Sequence, residues 1–252
     1  MSEAIELKLK DVSKSFSRVD STEVTNAVTD VNISMYNGEF VSLVGTSGCG
    51  KSTILRMIAG LIAPTTGELT INGTKITSPG PDIGMVFQKP TLFPWLTVED
   101  NVAFSLKMQG KLKEGMEDVH RLINVIGLEK FKKDYPGQLS GGMAQRVALA
   151  RAMISKPKIL LMDEPLGALD AFTRMNMQNE ILDMWQVNKQ LVVMVTHDID
   201  EAIHMSSRIL VMEAHPGRIR EEIKIDMDYP RNRSSSSFVE YRNHILDLLH
   251  FA

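Results

Sequence analysis

The run Gly45-Thr46-Ser47-Gly48-Cys49-Gly50-Lys51-Ser52 has the form G-x-x-x-x-G-K-[ST]. Residues of these types at this spacing can hold a polyphosphate. Glycines let the backbone fold closely enough for successive N–H groups to point inward at phosphate oxygens. A helix that starts at the end of the loop adds the partial positive charge of its N-terminus. The Lys51 ammonium can reach β- and γ-phosphates, and the Ser52 hydroxyl can ligate Mg²⁺. Thr53 continues into the helix, so residues 45–53 form a candidate nucleotide loop. A second run, Ile159-Leu160-Leu161-Met162-Asp163-Glu164-Pro165, ends an apolar strand in two carboxylates. Successive side chains at a strand end point in different directions. Asp163 can therefore serve a metal while Glu164 polarises an attacking water. A third run, Leu139-Ser140-Gly141-Gly142-Met143, reads on its own as a common helix cap.

Such residues need strands and helices to hold them. Ile5, Leu7 and Leu9 alternate with Glu6, Lys8 and Lys10, a strand period. Residues 24–35 are rich in Val, Thr and Ile, Asn37-Gly38 marks a turn, and 40–44 follow as a buried strand. Residues 51–60 read as a helix with Ile54, Leu55, Ile58 and Leu61 on one side. Asn72-Gly73 between residues 67–71 and 74–77 is a hairpin signal. From Val98 to Lys156 apolar residues recur at helical spacing, with a break at Pro136-Gly137 and a new helix from about Met143. Apolar strands at 159–162, 191–195 and 209–212 then alternate with helices at 171–188 and 199–205, a pattern of parallel strands covered on both faces. Residues from Tyr229 to Ser237 read as an exposed connector. Phe238, Tyr241, Ile245, Leu248 and Leu249 form one helical stripe, expected to dock on its own domain.

The composition removes several alternatives. Over 252 residues the net charge is −3, hydrophobic residues make up 43% and charged residues 23%, which excludes a disordered chain. Without a basic excess, no nucleic-acid partner is expected. One cysteine builds no disulfide framework and fits a reducing cytoplasm. No apolar run approaches the roughly 20 residues of a membrane span, and residues 1–10 lack the apolar core of a signal peptide. Any membrane role then needs a separate spanning subunit.

Taken together, the three runs resemble the nucleotide-binding subunit of ATP-binding cassette (ABC) transporters, over nearly the whole chain. That family carries L-S-G-G-Q at the third run and uses it to bind the γ-phosphate of an ATP held by the opposite subunit. Met143 stands here in place of the final Gln, while Ser140, Gly141 and Gly142 are retained. The resemblance further implies roles for four residues. Gln88, in Met85-Val86-Phe87-Gln88, would contact Mg²⁺ and the attacking water. Asp170, in Ala168-Leu169-Asp170, would cross a dimer interface. His197 would touch the γ-phosphate, leaving the other five histidines as ordinary surface residues. Phe16, followed by a polar run over residues 17–26, would stack on adenine. Cys49, beside a helix N-terminus, is expected to react with alkylating reagents and to be protected by ATP.

The implied fold is α/β: a P-loop NTPase core with an antiparallel β subdomain and a helical subdomain. The ABC ATPase domain would span residues 5–230, its helical subdomain about 90–155. Residues 231–252 would be a linker and C-terminal amphipathic helix. ATP and Mg²⁺ would be the cofactors. A second ATPase subunit, identical or related, would complete each site head to tail. Permease subunits would span the membrane, a solute-binding protein would act indirectly, and the chain would sit peripherally on the cytoplasmic face. Residues 91–98, 139–143, 215–219 and 229–233 look like the ATPases of nitrate, sulfonate and taurine importers. Another transporter type, or a DNA-repair or chromosome-associated cassette, is the alternative. Those non-transport ATPases carry a long coiled coil or a zinc insertion between the first and third runs, and this chain carries neither. A GTPase would need N-K-x-D, but Asn188-Lys189-Gln190 ends in Leu191. A nucleotide sensor would not need Glu164.

Overall fold

Strands that are apolar at every position must be covered on both faces, and the chain supplies a different cover for each. The computed structural model describes residues 5–17 and 24–249. Its strands are β1 (Glu6–Ser17), β2 (Val24–Tyr36), β3 (Phe40–Gly45), β4 (Thr66–Ile71), β5 (Thr74–Lys75), β6 (Ile83–Val86), β7 (Ile159–Asp163), β8 (Leu191–Val195), β9 (Arg208–Glu213) and β10 (Arg218–Lys224). The α-helices are α1 (Lys51–Ile58), α2 (Val98–Met108), α3 (Leu112–Val125), α4 (Gly141–Met153), α5 (Ala171–Asn188), α6 (Ile199–Met205) and α7 (Ser236–Leu248).

Two sheets form. One is antiparallel, in the order β2-β1-β4-β5, and the other runs β10-β9-β3-β8-β7-β6. In the second sheet β6, β7, β8, β3 and β9 are mutually parallel, and β10 pairs antiparallel to β9. The period of two sorts its side chains. Val41, Leu43, Leu161, Val193 and Val195 meet Ile54, Leu55 and Ile58 of α1, which also pack under Leu7, Leu9 and Met35 of the antiparallel sheet. Phe40, Leu160, Met162, Val192 and Met194 face the other way, toward Val102, Ile123 and Val147 of α2, α3 and α4 and Ile181 and Trp185 of α5. A third cluster joins Val44, Ala202, Ile203 and Val211 to Phe238 and Ile245 of α7.

Three expectations change, and one strand is added that was not expected. The first helix stops at Ile58, and Leu61 is exposed. Strand β10 has no apolar signature, being exposed at alternate positions, yet its backbone completes a ladder with β9. Residues 229–233 are not an exposed connector. Arg231 is buried, donating from Nη1 to the carbonyls of Ile203 and Ser206, both at 2.6 Å, and the Tyr229 hydroxyl donates to Met205 O at 2.7 Å. Those carbonyls belong to the end of α6, where a helix leaves acceptors without intrahelical partners. His204 is buried rather than a surface residue. The stripe on α7 does dock, with Phe238 and Ile245 fully buried. Of the polar run after Phe16, residues 18–23 lie outside the described residues.

Candidate functional site

The nucleotide loop is built by close backbone approach. Strand β3 ends at Gly45, where an added Cβ would lie 2.6 Å from the Met212 carbonyl oxygen and 2.7 Å from Cys49 Sγ, so no side chain fits. Gly50 has φ +92°, and a Cβ there would meet Ala27 O at 2.6 Å. Gly50 also caps α1 without a side chain. The first-turn N–H groups of α1 thus point into the loop without a competing acceptor, the arrangement that attracts an anion.

Inside the loop, Lys51 is buried and its ammonium donates to Gly45 O (2.7 Å) and Thr46 O (2.9 Å). Ser52 Oγ donates to Asp163 Oδ1 at 2.9 Å, tying α1 to the end of β7. Burial pushes the Asp163 carboxyl above the usual carboxylate range, reinforced by the neighbouring Glu164 charge and opposed by the Ser52 hydrogen bond and the cations Arg56 and Lys51.

Glu164 takes a positive φ, +47°, with its N–H donated to Val195 O at 2.9 Å. A non-glycine residue in this region costs of order 1–3 kcal/mol, and such strain gathers at functional sites. The two carboxylates have different partners, Ser52 for Asp163 and Gln88 with His197 for Glu164. Gln88 Nε2 donates to its Oε2 at 2.8 Å, and His197 Nδ1 lies 3.5 Å from its Oε1. Gly45, Ser47, Gly48, Gly50, Lys51, Ser52, Thr53, Gln88, Glu164 and His197 line one cleft of about 540 Å³. The cleft thus brings the phosphate loop, Gln88, Glu164 and His197 together.

Other expected residues lie elsewhere. Thr46 and Cys49 do not line the cleft. Cys49 is fully buried, its Sγ 3.5 Å from Lys51 Nζ, so the expectation of a thiol presented beside the phosphates is corrected: the side chain has no exposed surface in this structure. Phe16 is exposed, with Lys14 Nζ 5.2 Å from its ring centroid, and is not part of the cleft wall. Ser140 caps α4, its Oγ accepting from Met143 N at 3.3 Å. Gly141 is open on its Cβ side, while a Cβ on Gly142 would meet Leu169 at 3.0 Å. Met143 packs against the helical core. Asp170 caps α5 by accepting from Thr173 N at 3.0 Å, a bond that holds its carboxyl below the usual range. None of Ser140–Met143 or Asp170 lines the cleft of its own chain.

Three further supports were not expected at the site. Ala27 of β2 lines the cleft and packs its carbonyl on Gly50. Gly217, in the β9–β10 turn, stands so close to Cys49 O that a Cβ would be 2.2 Å away, and its own carbonyl accepts from Thr29 N at 2.8 Å. Gln145 of α4 is buried and donates to Phe87 O at 3.1 Å, holding the segment that carries Gln88.

Comparison with known proteins agrees with this geometry. Residues 28–167 match the profile of the ABC transporter family, a span that includes the loop, Gln88, Ser140–Met143 and the two carboxylates. An ABC transporter ATP-binding protein of Methanocaldococcus jannaschii is 48% identical over 246 residues, covering 97% of this chain and 91% of that protein. The aliphatic sulfonates import ATP-binding protein of Bacillus subtilis is 45% identical over 218 residues, 86% of this chain and 84% of the relative. A solved ATP-binding cassette, a dimer in a post-hydrolysis state bound to ADP and Pi, superposes with a TM-score of 0.77 at 34% identity, covering 88% of this chain and all of that one.

Proposed function

This chain belongs to the ABC transporter family and is an ATPase subunit of that kind, and from that premise we propose that it powers an importer for small organic or inorganic anions such as sulfonates, taurine or nitrate. The observation that carries the catalytic part is the position of Glu164. Its carboxylate stands at the rim of the phosphate loop, gripped by Gln88 and facing His197. The sulfonate reading leans on the relatives at about 45% identity.

In this reading the loop N–H groups and Lys51 bind the phosphates. Glu164 accepts the proton of the attacking water, Gln88 orients that carboxylate, and His197 contacts the γ-phosphate. Mg²⁺ is the proposed cofactor. The donors near the phosphates are the Ser52 hydroxyl, Asp163 and the Gln88 amide oxygen, all hard oxygens that suit it. Among the described residues no group of three His, Cys, Asp or Glu could hold a metal, so phosphate and water would supply the rest of the shell. When bound, the ion neutralises charge developing on the phosphates.

No residue of the Ser140–Met143 segment lines the cleft of its own chain, which supports a head-to-tail pair in which the segment completes the partner's ATP site. Closing on ATP and reopening after hydrolysis would drive separate permease subunits, docked near Gln88 and residues 90–101. The chain would then lie peripherally on the cytoplasmic face of the membrane, meeting the solute-binding protein only through the permease, with no nucleic acid involved. Phe16 is the proposed adenine-stacking residue and Asp170 the proposed interface residue.

The test is co-purification with the co-encoded membrane protein, reconstitution with its binding protein, and an ATPase assay across solutes. Stimulation by a sulfonate, taurine or nitrate is expected. Stimulation only by a cation, sugar or amino acid would overturn the anion reading and leave the ATPase standing.

A further inference from the structure

Helix α6 begins two residues after His197, and it is only seven residues long. A helix of that length has little stability of its own. Here the C-terminal segment holds it from outside. Arg242 of α7 forms a two-pronged pair with Asp200 in its first turn, Nε to Oδ1 at 2.5 Å and Nη2 to Oδ2 at 2.7 Å. At the other end Arg231 and Tyr229 take the carbonyls of Ile203, Met205 and Ser206.

A second route enters from the side. Arg233 donates to Gln178 Oε1, and Gln178 Nε2 donates to Glu201 Oε1 at 3.1 Å. Glu201 is buried and hydrogen-bonds Thr196, whose Oγ1 accepts from Asp198 N at 3.1 Å. Asp198 in turn caps α6 by accepting from Glu201 N at 3.0 Å. Both routes end on residues 196–200, the backbone that carries His197. His197 itself is two-thirds exposed, and no packing of its own fixes it.

We infer that residues 229–242 are a positioning element for hydrolysis: Arg242 and Arg233, without touching nucleotide, hold α6 so that His197 stays against Glu164. The inference rests on the reading of Glu164 and His197 as the hydrolytic pair. Small displacements of a reacting group cost rate steeply, about 100-fold for 1 Å in the extreme, while the contacts assigned to ATP binding come from the loop between β3 and α1, which neither Arg242 nor Arg233 touches. The clamp should therefore act on turnover and leave affinity alone.

Single-turnover ATP hydrolysis, which keeps slow variants measurable, and equilibrium binding of a non-hydrolysable ATP analogue test this on the full chain. Arg242→Ala should slow hydrolysis about tenfold with affinity within about twofold. Arg242→Lys, which keeps one contact of the two, should recover part of the loss. Charge exchange, Arg242→Asp with Asp200→Arg, should run faster than either single change. Combining Arg242→Ala with His197→Ala should be no slower than His197→Ala alone, because both act through one side chain. Losses that multiply, or an unchanged rate in Arg242→Ala, would overturn the inference. If Arg242→Ala folds poorly, the exchanged pair decides, since it restores the attraction with both charges present. Glu164→Gln and His197→Ala run alongside. Normal hydrolysis in both would sink the reading of the pair, whereas their failure beside a normal Arg242→Ala rejects the clamp only.

Discussion

Gln88 Nε2 donates to Glu164 Oε2 at 2.8 Å, so a residue just beyond β6 holds the carboxylate that ends β7. The two strands are parallel neighbours, paired from Ile83 with Ile159 to Val86 with Met162. That register brings the segment after β6 beside the turn after β7. One oxygen of Glu164 is thereby occupied and the other is turned toward His197, 3.5 Å away. A water between them and a phosphate in the loop would meet a base already oriented.

Glu164→Gln should separate binding from chemistry. The amide keeps nearly the same size and can still accept from Gln88, so Lys51, Ser52 and Asp163 should go on holding nucleotide. It cannot take a proton from water, and positioned general-base catalysis is worth roughly 10²–10⁴-fold. Turnover should fall by about that factor. Size-exclusion chromatography with light scattering should show a doubled mass in MgATP and not in MgADP. Near-normal hydrolysis would move the base elsewhere, with His197 next in line.

Lys51→Ala should abolish useful ATP binding while leaving the fold intact. The ammonium now rests on the carbonyls of Gly45 and Thr46, which water can solvate in its absence. Hydrogen bonds to charged groups contribute about 1.5–3 kcal/mol, or about 10–150-fold in affinity. Equilibrium binding of labelled ATP at wild-type affinity would remove the loop assignment.

Acid should destabilise the protein through His204. Burial, with the positive charges of Arg233 and Arg231 behind it, pulls this imidazole down to about 4. The unfolded chain titrates near 6.5, so between these values it binds a proton that the folded chain refuses. The His204 contribution is complete above about pH 6.5 and is lost as the pH falls toward 4. Urea titrations from pH 7 to pH 5 should show His204→Gln losing about 1–2 kcal/mol less stability than the parent chain. Parallel pH profiles for the two would count against it.

Lipid alone should not recruit the chain. Among the described residues no helix is long and apolar enough to cross a membrane. The apolar stripe of α7 is spent on its own domain through Phe238 and Ile245. Flotation with protein-free anionic vesicles should leave the chain at the bottom of the gradient. Vesicle binding that disappears on deleting residues 238–252 would make α7 a membrane anchor.

Much of the site was readable because its signals are local. The loop from Gly45 to Ser52 depends on residue types at fixed spacing, and α1 follows within one chain segment. The strands β3, β7 and β8 announce themselves as short apolar runs, since each is buried on both faces. Glu164 was legible as the second acid of a pair at a strand end. Helix α7 was legible from its stripe.

What could not be read is what arrives from a distance in sequence. The chain order alone leaves Gln88 and Glu164 76 residues apart; sheet register joins them. Nothing near Ala27 or Gly217 marks them as walls of the phosphate loop, because each acts through a backbone carbonyl or a missing side chain, and those leave no pattern of type. Arg231 and Arg233 looked like the charges of a solvated connector. Arg231 is buried because the end of α6 offers carbonyls that no helical N–H can satisfy, and a long side chain with several donors is what reaches them, while Arg233 is engaged by the Gln178 side chain of α5. Residue types and spacing therefore settled which chemistry the chain carries, since phosphate and proton chemistry demands particular groups. Packing settled where those groups stand and what holds them, since hydrogen bonds between remote segments depend on sheet order and helix docking rather than on any one stretch of residues.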